Sequence, residues 1–211
     1  MTDPVRTTRR WLVSLVLFSV VIGFCEAATV TYIRIMYEPI HQRLHPDRAP
    51  DDLFPLLNSE QWATEAPPPA RSPFLEVTRE IATILGVVFV ARAVMPTFRL
   101  GMAISFLMLG VIGWTYYLWL KLLTGWPHAV TDWDMIFLLP LPWIGPVWAA
   151  LASYTAMIAA CAWFFWAEAV GRPLHAGRVG WLLLAAGSLV TALPFWLDLQ
   201  HIASGGYPRS F

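Results

Sequence analysis

The chain has 211 residues, of which 57% are hydrophobic and only 13% are charged, and its mean hydropathy is +0.57. A soluble domain of this size carries more charge on its surface, so the composition excludes an ordinary soluble protein and predicts one that spans a membrane. The formal net charge is zero, which gives no electrostatic basis for binding nucleic acid.

The hydropathy pattern predicts five transmembrane helices in a single domain that covers residues 1–211. The first begins at Trp11, after a polar and basic segment, and stays apolar to about Met36, well past any signal-peptide cleavage point. The other four are predicted at about residues 74–95, 100–123, 146–170 and 179–198. The predicted fold class is therefore all-α, a polytopic transmembrane bundle.

Two segments between the predicted helices have a different character. Residues 38–73 are rich in proline and carry scattered charges, which predicts a long outer loop with a short helix around residues 51–62. A loop of this length is a candidate docking surface for other membrane subunits. The apolar stretch 135–143, before the fourth span, contains Pro140 and Pro142, and we predict an irregular or re-entrant segment there.

Basic residues predict the orientation of the chain in a bacterial inner membrane. The predicted inner helix ends are rich in arginine: Arg6, Arg9, Arg10, Arg92, Arg99, Arg172 and Arg178. Because arginine and lysine in short loops favour the cytoplasmic side, the N-terminus is expected in the cytoplasm. Five spans then place the 38–73 loop and the C-terminus in the periplasm.

Ionisable residues enter the predicted outer half of the membrane. Glu26 lies 15 residues beyond Trp11, roughly 22 Å along a helix and still inside a hydrocarbon core about 30 Å thick. In the second span the uninterrupted apolar run 81–91 is too short to cross, so Glu80 and Arg79 are expected to enter the outer leaflet. The polar residues near this half are Glu26, Arg34, Tyr37, Glu76, Arg79, Glu80, Tyr116, Tyr117, Lys121, Asp132, Asp134, Asp198 and His201. Such groups are costly in lipid and usually face one another or a wet cavity, which predicts a shared site.

The spacing of the acids favours one chemistry for this site. Glu76 and Glu80 are four residues apart and Asp198 and His201 three apart, so each pair can share a helix face. Carboxylate and imidazole ligands suit iron, manganese or zinc, with a redox or hydrolytic role. The candidate metal ligands are Glu26, Glu76, Glu80, Asp198 and His201, and the remaining polar residues would support them.

Other interpretations stay open at this stage. The same charges could form a structural ion-pair network, in which Glu26 pairs with a base such as Arg79, or they could form a proton or ion path. His41 and His45 would suit a metal if their segment is helical, but no third ligand is set by spacing. The protein could then be a non-catalytic subunit or assembly factor of a larger membrane complex, or a small proton-coupled transporter, although no internal repeat supports transport.

Four segments resemble blocks of an uncharacterised family of bacterial multi-spanning membrane proteins. They are residues 25–34 (CEAATVTYIR), 76–83 (EVTREIAT), 116–127 (YYLWLKLLTGWP) and 132–146 (DWDMIFLLPLPWIGP). The resemblance implies the same membrane class for this chain, and no activity is associated with it.

Overall fold

The computed structural model describes residues 4–49, 52–65, 74–172, 177–197 and 199–208. In chain order its elements are α1 (Pro4–Leu44), α2 (Ser59–Glu65), α3 (Phe74–Val94), α4 (Phe98–Thr124), β1 (Trp133–Phe137), β2 (Trp143–Pro146), α5 (Val147–Ala169), α6 (Arg178–Trp196) and α7 (Leu199–Ala203). The chain is mostly helical, as the composition predicts. The sequence Ser72–Pro73 predicts an N-cap for the second span, but these two residues lie outside the described part of the chain.

Four helices in the described part of the chain, α1, α4, α5 and α6, are long and apolar enough to cross a membrane. They are consistent with the predicted membrane class. The predicted second span forms α3, a helix of 21 residues, but its four charged residues exclude it from this group: Glu76, Arg79, Glu80 and Arg92. The count of five spans therefore stays a prediction.

The first helix is longer than the sequence predicts. It contains 41 residues and continues through Pro39 to Leu44, so it measures roughly 60 Å, about twice the thickness of a hydrocarbon core. The prediction that loop structure begins at residue 38 is wrong. The helix continues because Tyr37 is buried with Leu57, and Leu44 packs beside them, so tertiary contacts offset the hydrogen bond that Pro39 cannot make.

The segment predicted to be irregular forms an antiparallel hairpin. Strand β1 pairs with β2, with Trp133 opposite Pro146 and Phe137 opposite Trp143. The aromatic and branched residues of WDMIF favour a strand. The prediction did not use this preference, because it treated residues 135–143 only as an apolar stretch. A re-entrant path for this hairpin stays a prediction. The short helix predicted near residues 51–62 is α2, displaced towards the C-terminus.

The described chain divides into two compact units. The bundle unit contains residues up to Thr31 together with Ile81–His128 and Trp148–Leu174. Its core joins the first half of α1, the second half of α3 and α4, and its buried residues are Leu15, Val87, Ala91, Ile104, Met108 and Ile112. These helix segments therefore pack through aliphatic side chains in this core.

Helices α4 and α5 approach closely at two glycines. A Cβ atom at Gly110 would lie 2.9 Å from the carbonyl oxygen of Tyr154, and one at Gly113 would lie 2.4 Å from the Tyr154 ring. Nearby, Trp114 donates from Nε1 to Thr155 Oγ1 over 2.9 Å. Ile158 Cγ1 also lies 2.8 Å from the Cβ position of Gly110, but the Tyr154 oxygen is a backbone atom that cannot rotate away.

Replacing Gly110 by alanine is expected to lower the free energy of unfolding by about 1 kcal/mol net. Overpacking typically costs about 1–3 kcal/mol, while the better helix propensity of alanine returns about 0.5–1 kcal/mol. Gly86 on α3 is the matched control, because a Cβ atom there meets nothing within 4 Å. Gly86→Ala should be neutral or stabilising when both variants are unfolded in mixed micelles, and equal losses in the two variants would contradict the close approach.

The hairpin unit contains Tyr32–Glu80, Ala129–Val147 and His175–Phe211. Its described residues include two small apolar clusters. In one, the ring of Tyr37 stacks on that of Trp62 with centroids 4.8 Å apart; the other contains Phe54, Ile144 and Ile202. Helix α6 joins this unit through its last turn, where Trp143 of β2 contacts Phe195 and Trp196.

Candidate functional site

The predicted site residues are divided between the two units. Those in the bundle unit are Glu26, Tyr116, Tyr117 and Lys121, and those in the hairpin unit are Arg34, Tyr37, Glu76, Arg79, Glu80, Asp132, Asp134 and His201. Asp198 lies outside the described residues. The predicted convergence of Glu26, Glu80 and His201 involves both units and stays a prediction.

The residues in the bundle unit make local structural contacts. Thr83 on α3 donates from Oγ1 to Glu26 Oε1 over 2.8 Å, and this hydrogen bond links α1 to α3. Lys121 donates from Nζ to the carbonyl oxygens of Gly125 and Pro127, at 2.7 and 2.8 Å, and so closes the C-terminus of α4. Tyr117 is buried, with the rings of Tyr116 and Trp126 beside it.

An ion pair ties the hairpin to the first helix. Arg34 on α1 donates from Nη2 to Asp134 Oδ1 on β1 over 3.2 Å. The Asp134 side chain is 4% exposed and that of Arg34 20%. A carboxylate buried to this degree needs a charged or hydrogen-bonding partner, and Arg34 meets that need.

A second acid holds the far end of β1. The backbone N–H of Leu138, one residue beyond β1, donates to both carboxylate oxygens of Glu80, at 3.1 and 3.0 Å. Glu80 lies on the part of α3 that belongs to the hairpin unit. The Leu138 amide lies outside the pairing of β1 with β2, so the Glu80 carboxylate takes the place of a strand carbonyl as its acceptor.

The base of the hairpin is closed by a further acid. Asp132 Oδ2 accepts from the backbone N–H of Ala129 over 3.1 Å, and the Asp132 carbonyl accepts from the N–H of Val147 over 2.9 Å. On α3, Glu76 pairs with Arg79 one helical turn later, with 2.8 Å between Oε2 and Nε. Each of these acids therefore has a structural contact within its own unit.

His201 lies on α7, where the chain turns sharply. Its carbonyl oxygen accepts from the N–H of Gly206 over 3.0 Å and from Ser204 Oγ over 2.7 Å. A Cβ atom at Gly206 would lie 2.4 Å from His201 Nε2, so the imidazole packs directly on the returning backbone. The histidine thus has a packing role in the turn after α7.

The described residues give no support to the predicted metal site. No group of three or more histidine, cysteine, aspartate or glutamate residues in the described part of the chain is placed to hold a metal ion. The hypothesis of iron, manganese or zinc at Glu26, Glu76, Glu80, Asp198 and His201 has no geometric basis in that part, and Asp198 lies beyond it. The observed contacts agree better with the structural interpretation of these charges.

Sequence reasoning missed the partners of these charges. Thr83 and the Leu138 amide carry no charge, and a backbone group leaves no signal in the sequence. Arg48 was also missed; its side chain is 1% exposed and donates from Nη2 to Glu38 Oε2 over 2.6 Å. Proximity of Glu38 and Arg48 in the chain was the one available signal.

The fold of the described residues is mostly helical, with four helices that could cross a membrane and a hairpin attached to α1 and α3 by buried or partly buried acids. Comparisons of the chain with protein-family models, with curated proteins and with solved structures found no match. The resemblance to a bacterial membrane protein family has no support from these comparisons.

Proposed function

We propose that this protein is a non-catalytic subunit or assembly factor of a larger membrane complex, and that the hairpin is its contact with a partner protein. The observation that carries the proposal is the use of the charged residues. Asp134 pairs with Arg34 of α1, and Glu80 of α3 accepts from the Leu138 amide, so both acids attach the hairpin to a helix. Acids used in this way orient a structural element and leave fewer carboxylate oxygens for chemistry.

The hairpin is held where it meets the helices and exposed where it turns. Asp134 and Glu80 fix the two ends of β1, and Trp143 Nε1 donates to the carbonyl of Leu139 across the turn over 2.7 Å. Between these contacts Leu141 is 48% exposed. A buried ion pair adds little net stability but restricts the alternatives open to the chain, which suits a segment that must be presented in one orientation.

The orientation of the protein belongs to the same proposal. With the N-terminus in the cytoplasm and α3 as a span, the hairpin and the segment after α1 face the periplasm of a bacterial inner membrane. The arginines at the opposite helix ends support this orientation. The predicted partner then contacts the protein from the periplasmic side or in the outer leaflet.

Site-specific photo-crosslinking in intact cells tests the proposed contact. A crosslinking amino acid at Leu141 should form an adduct with one defined protein. The matched control is Leu118 on α4, an exposed leucine of the bundle unit, which should give no such adduct. Glu80→Ala should reduce the Leu141 adduct, because it releases the hairpin while the variant still inserts.

Two outcomes would overturn the proposal. The first is that Leu141 forms adducts with lipid alone. The second is a stoichiometric transition metal in the purified protein that is lost in both Glu80→Ala and His201→Ala, which would restore the metal hypothesis for these residues.

A further inference from the structure

Four charged or titratable residues lie together at the C-terminal end of α1. Glu38 and His41 are three residues apart on the helix, His45 follows directly after it, and Arg48 comes three residues later. The chain continues the helical pattern here, since the N–H of His45 donates to the carbonyl of His41 over 2.8 Å. We call these four residues the histidine cluster.

Two members of the histidine cluster, His41 and Arg48, are buried, and the other two, Glu38 and His45, are partly exposed. The Arg48 guanidinium is nearly fully buried between Glu38 and the carbonyl oxygen of Asp52, to which it donates from Nη2 and Nη1. His41 is also buried. Arg48, Glu38 and His45 all act electrostatically on His41, so the four side chains share one environment.

Glu38 Oε1 and His45 Nε2 are buried atoms of the cluster that have no hydrogen-bond partner within the described part of the chain. A buried nitrogen or oxygen without a hydrogen bond costs about 1–3 kcal/mol. The native arrangement of the cluster therefore leaves some hydrogen-bonding groups without partners, and a change of charge can destabilise it.

A bound metal ion does not fit the histidine cluster. The guanidinium of Arg48 carries a permanent positive charge and lies beside the two imidazoles, so it repels a cation. Glu38, His41 and His45 also do not form a three-ligand group in the described residues. The helical spacing expected for a His-x-x-x-His pair is present, but the charge beside it is of the wrong sign.

The same repulsion applies to a proton. Burial and the guanidinium of Arg48 both disfavour imidazolium at His41, whereas Glu38 favours it. A protonated His41 would also compete with Arg48 for the carboxylate of Glu38. From neighbouring helices, Glu65 is paired with Arg43 and Glu76 with Arg79, so those acids are already engaged.

We propose that the histidine cluster is an acid-sensitive latch that holds the segments 45–49 and 52–58 against the end of α1. The latch is closed when His41 is neutral. It opens as the pH falls through the range in which histidine takes up a proton, because the closed arrangement disfavours the charged form. The stability of the closed segments is thus highest at neutral pH and is lost on acidification.

Opening of the latch would expose apolar surface. Phe54 and Leu57 lie in the segments that Arg48 anchors, and both are buried: Phe54 against Ile144 and Ile202, and Leu57 against Tyr37. Release of the Arg48 contacts frees the chain that carries these two side chains. Acidification would therefore change the apolar surface that the hairpin unit presents to water.

Hydrogen exchange of the full-length protein in lipid nanodiscs tests this inference. At about pH 5.5, compared with about pH 7.5, the amides of segments 45–49 and 52–58 should exchange about tenfold faster after correction for intrinsic rates. This ratio corresponds to about 1.4 kcal/mol. The His41→Gln/His45→Gln variant should remain protected at both pH values, while α4 reports that each sample is folded.

Matched variants identify the responsible groups. His128→Gln removes an exposed histidine of the bundle unit and should leave the acid response unchanged. His45→Gln alone should weaken the response, which provides a second reading if the double variant folds poorly. The inference is overturned if wild-type exchange does not change with pH, or if the histidine variants respond as strongly as wild type, since another group would then be titrating.

Discussion

Replacing Asp134 by alanine is expected to lower the free energy of unfolding by about 3 kcal/mol, near the lower end of the range for breaking a buried ion pair. The variant leaves the guanidinium of Arg34 without the carboxylate that lies 3.2 Å from it. The effect falls at the lower end because Arg34 keeps a fifth of its side chain exposed to solvent. Unfolding in mixed micelles, followed by circular dichroism, measures the loss.

An apolar replacement of both partners separates the ion pair from its surroundings. Arg34→Met/Asp134→Leu should recover most of the stability that Asp134→Ala loses, because an apolar pair leaves no uncompensated charge. Asp132→Ala, two residues earlier on the approach to β1, is the matched control. It removes a partly exposed acceptor for the Ala129 amide and should cost only about 1 kcal/mol. Equal losses from Asp132→Ala and Asp134→Ala would show that the ion pair is not the cause.

Replacing Glu80 by alanine should cost about 2 kcal/mol, the usual range for a hydrogen bond to a charged group. The variant deprives the Leu138 amide of both carboxylate oxygens at the end of β1. The same change should increase hydrogen exchange in residues 137–143, because the hairpin loses its second attachment. The two effects together distinguish a local release of the hairpin from a general weakening of the protein.

Two further variants on α3 complete this experiment. Glu80→Gln keeps one acceptor oxygen and should recover about half of the loss, since a neutral hydrogen bond contributes about half as much as a charged one. Glu76→Ala removes an acid one turn earlier, whose pair with Arg79 is partly exposed, and should cost less than about 1 kcal/mol. If Glu76→Ala and Glu80→Ala release the hairpin equally, the contact with Leu138 is not its attachment.

The two acids explain why charges occur in a chain of this composition. A hairpin of two short strands is marginally stable by itself and needs contacts with other elements. Asp134 supplies one contact through α1, and Glu80 supplies another through α3. Charges that first suggest a ligand site can thus have the purpose of holding an otherwise weak element in place.

The membrane class could be predicted because hydropathy is a local and additive property. An apolar helix long enough to cross a bilayer is rarely stable in water. The sequence therefore predicts α1, α4, α5 and α6. Their boundaries are less certain. The continuation of α1 through Pro39 depends on the packing of Tyr37 with Leu57 and Trp62. The sequence does not indicate that these separated residues will pack together.

The partners of the charged side chains were decided by the tertiary structure. The sequence by itself determined that acids and bases enter the helices and that they need partners, because an unpaired charge is costly in an apolar environment. It did not determine which partners: Arg34 meets Asp134 across 100 residues of chain, and Glu80 meets a backbone amide. A carboxylate can satisfy the same need with a metal, a guanidinium or an N–H group. Only the folded chain, which brings one of these within hydrogen-bond distance, decides among them.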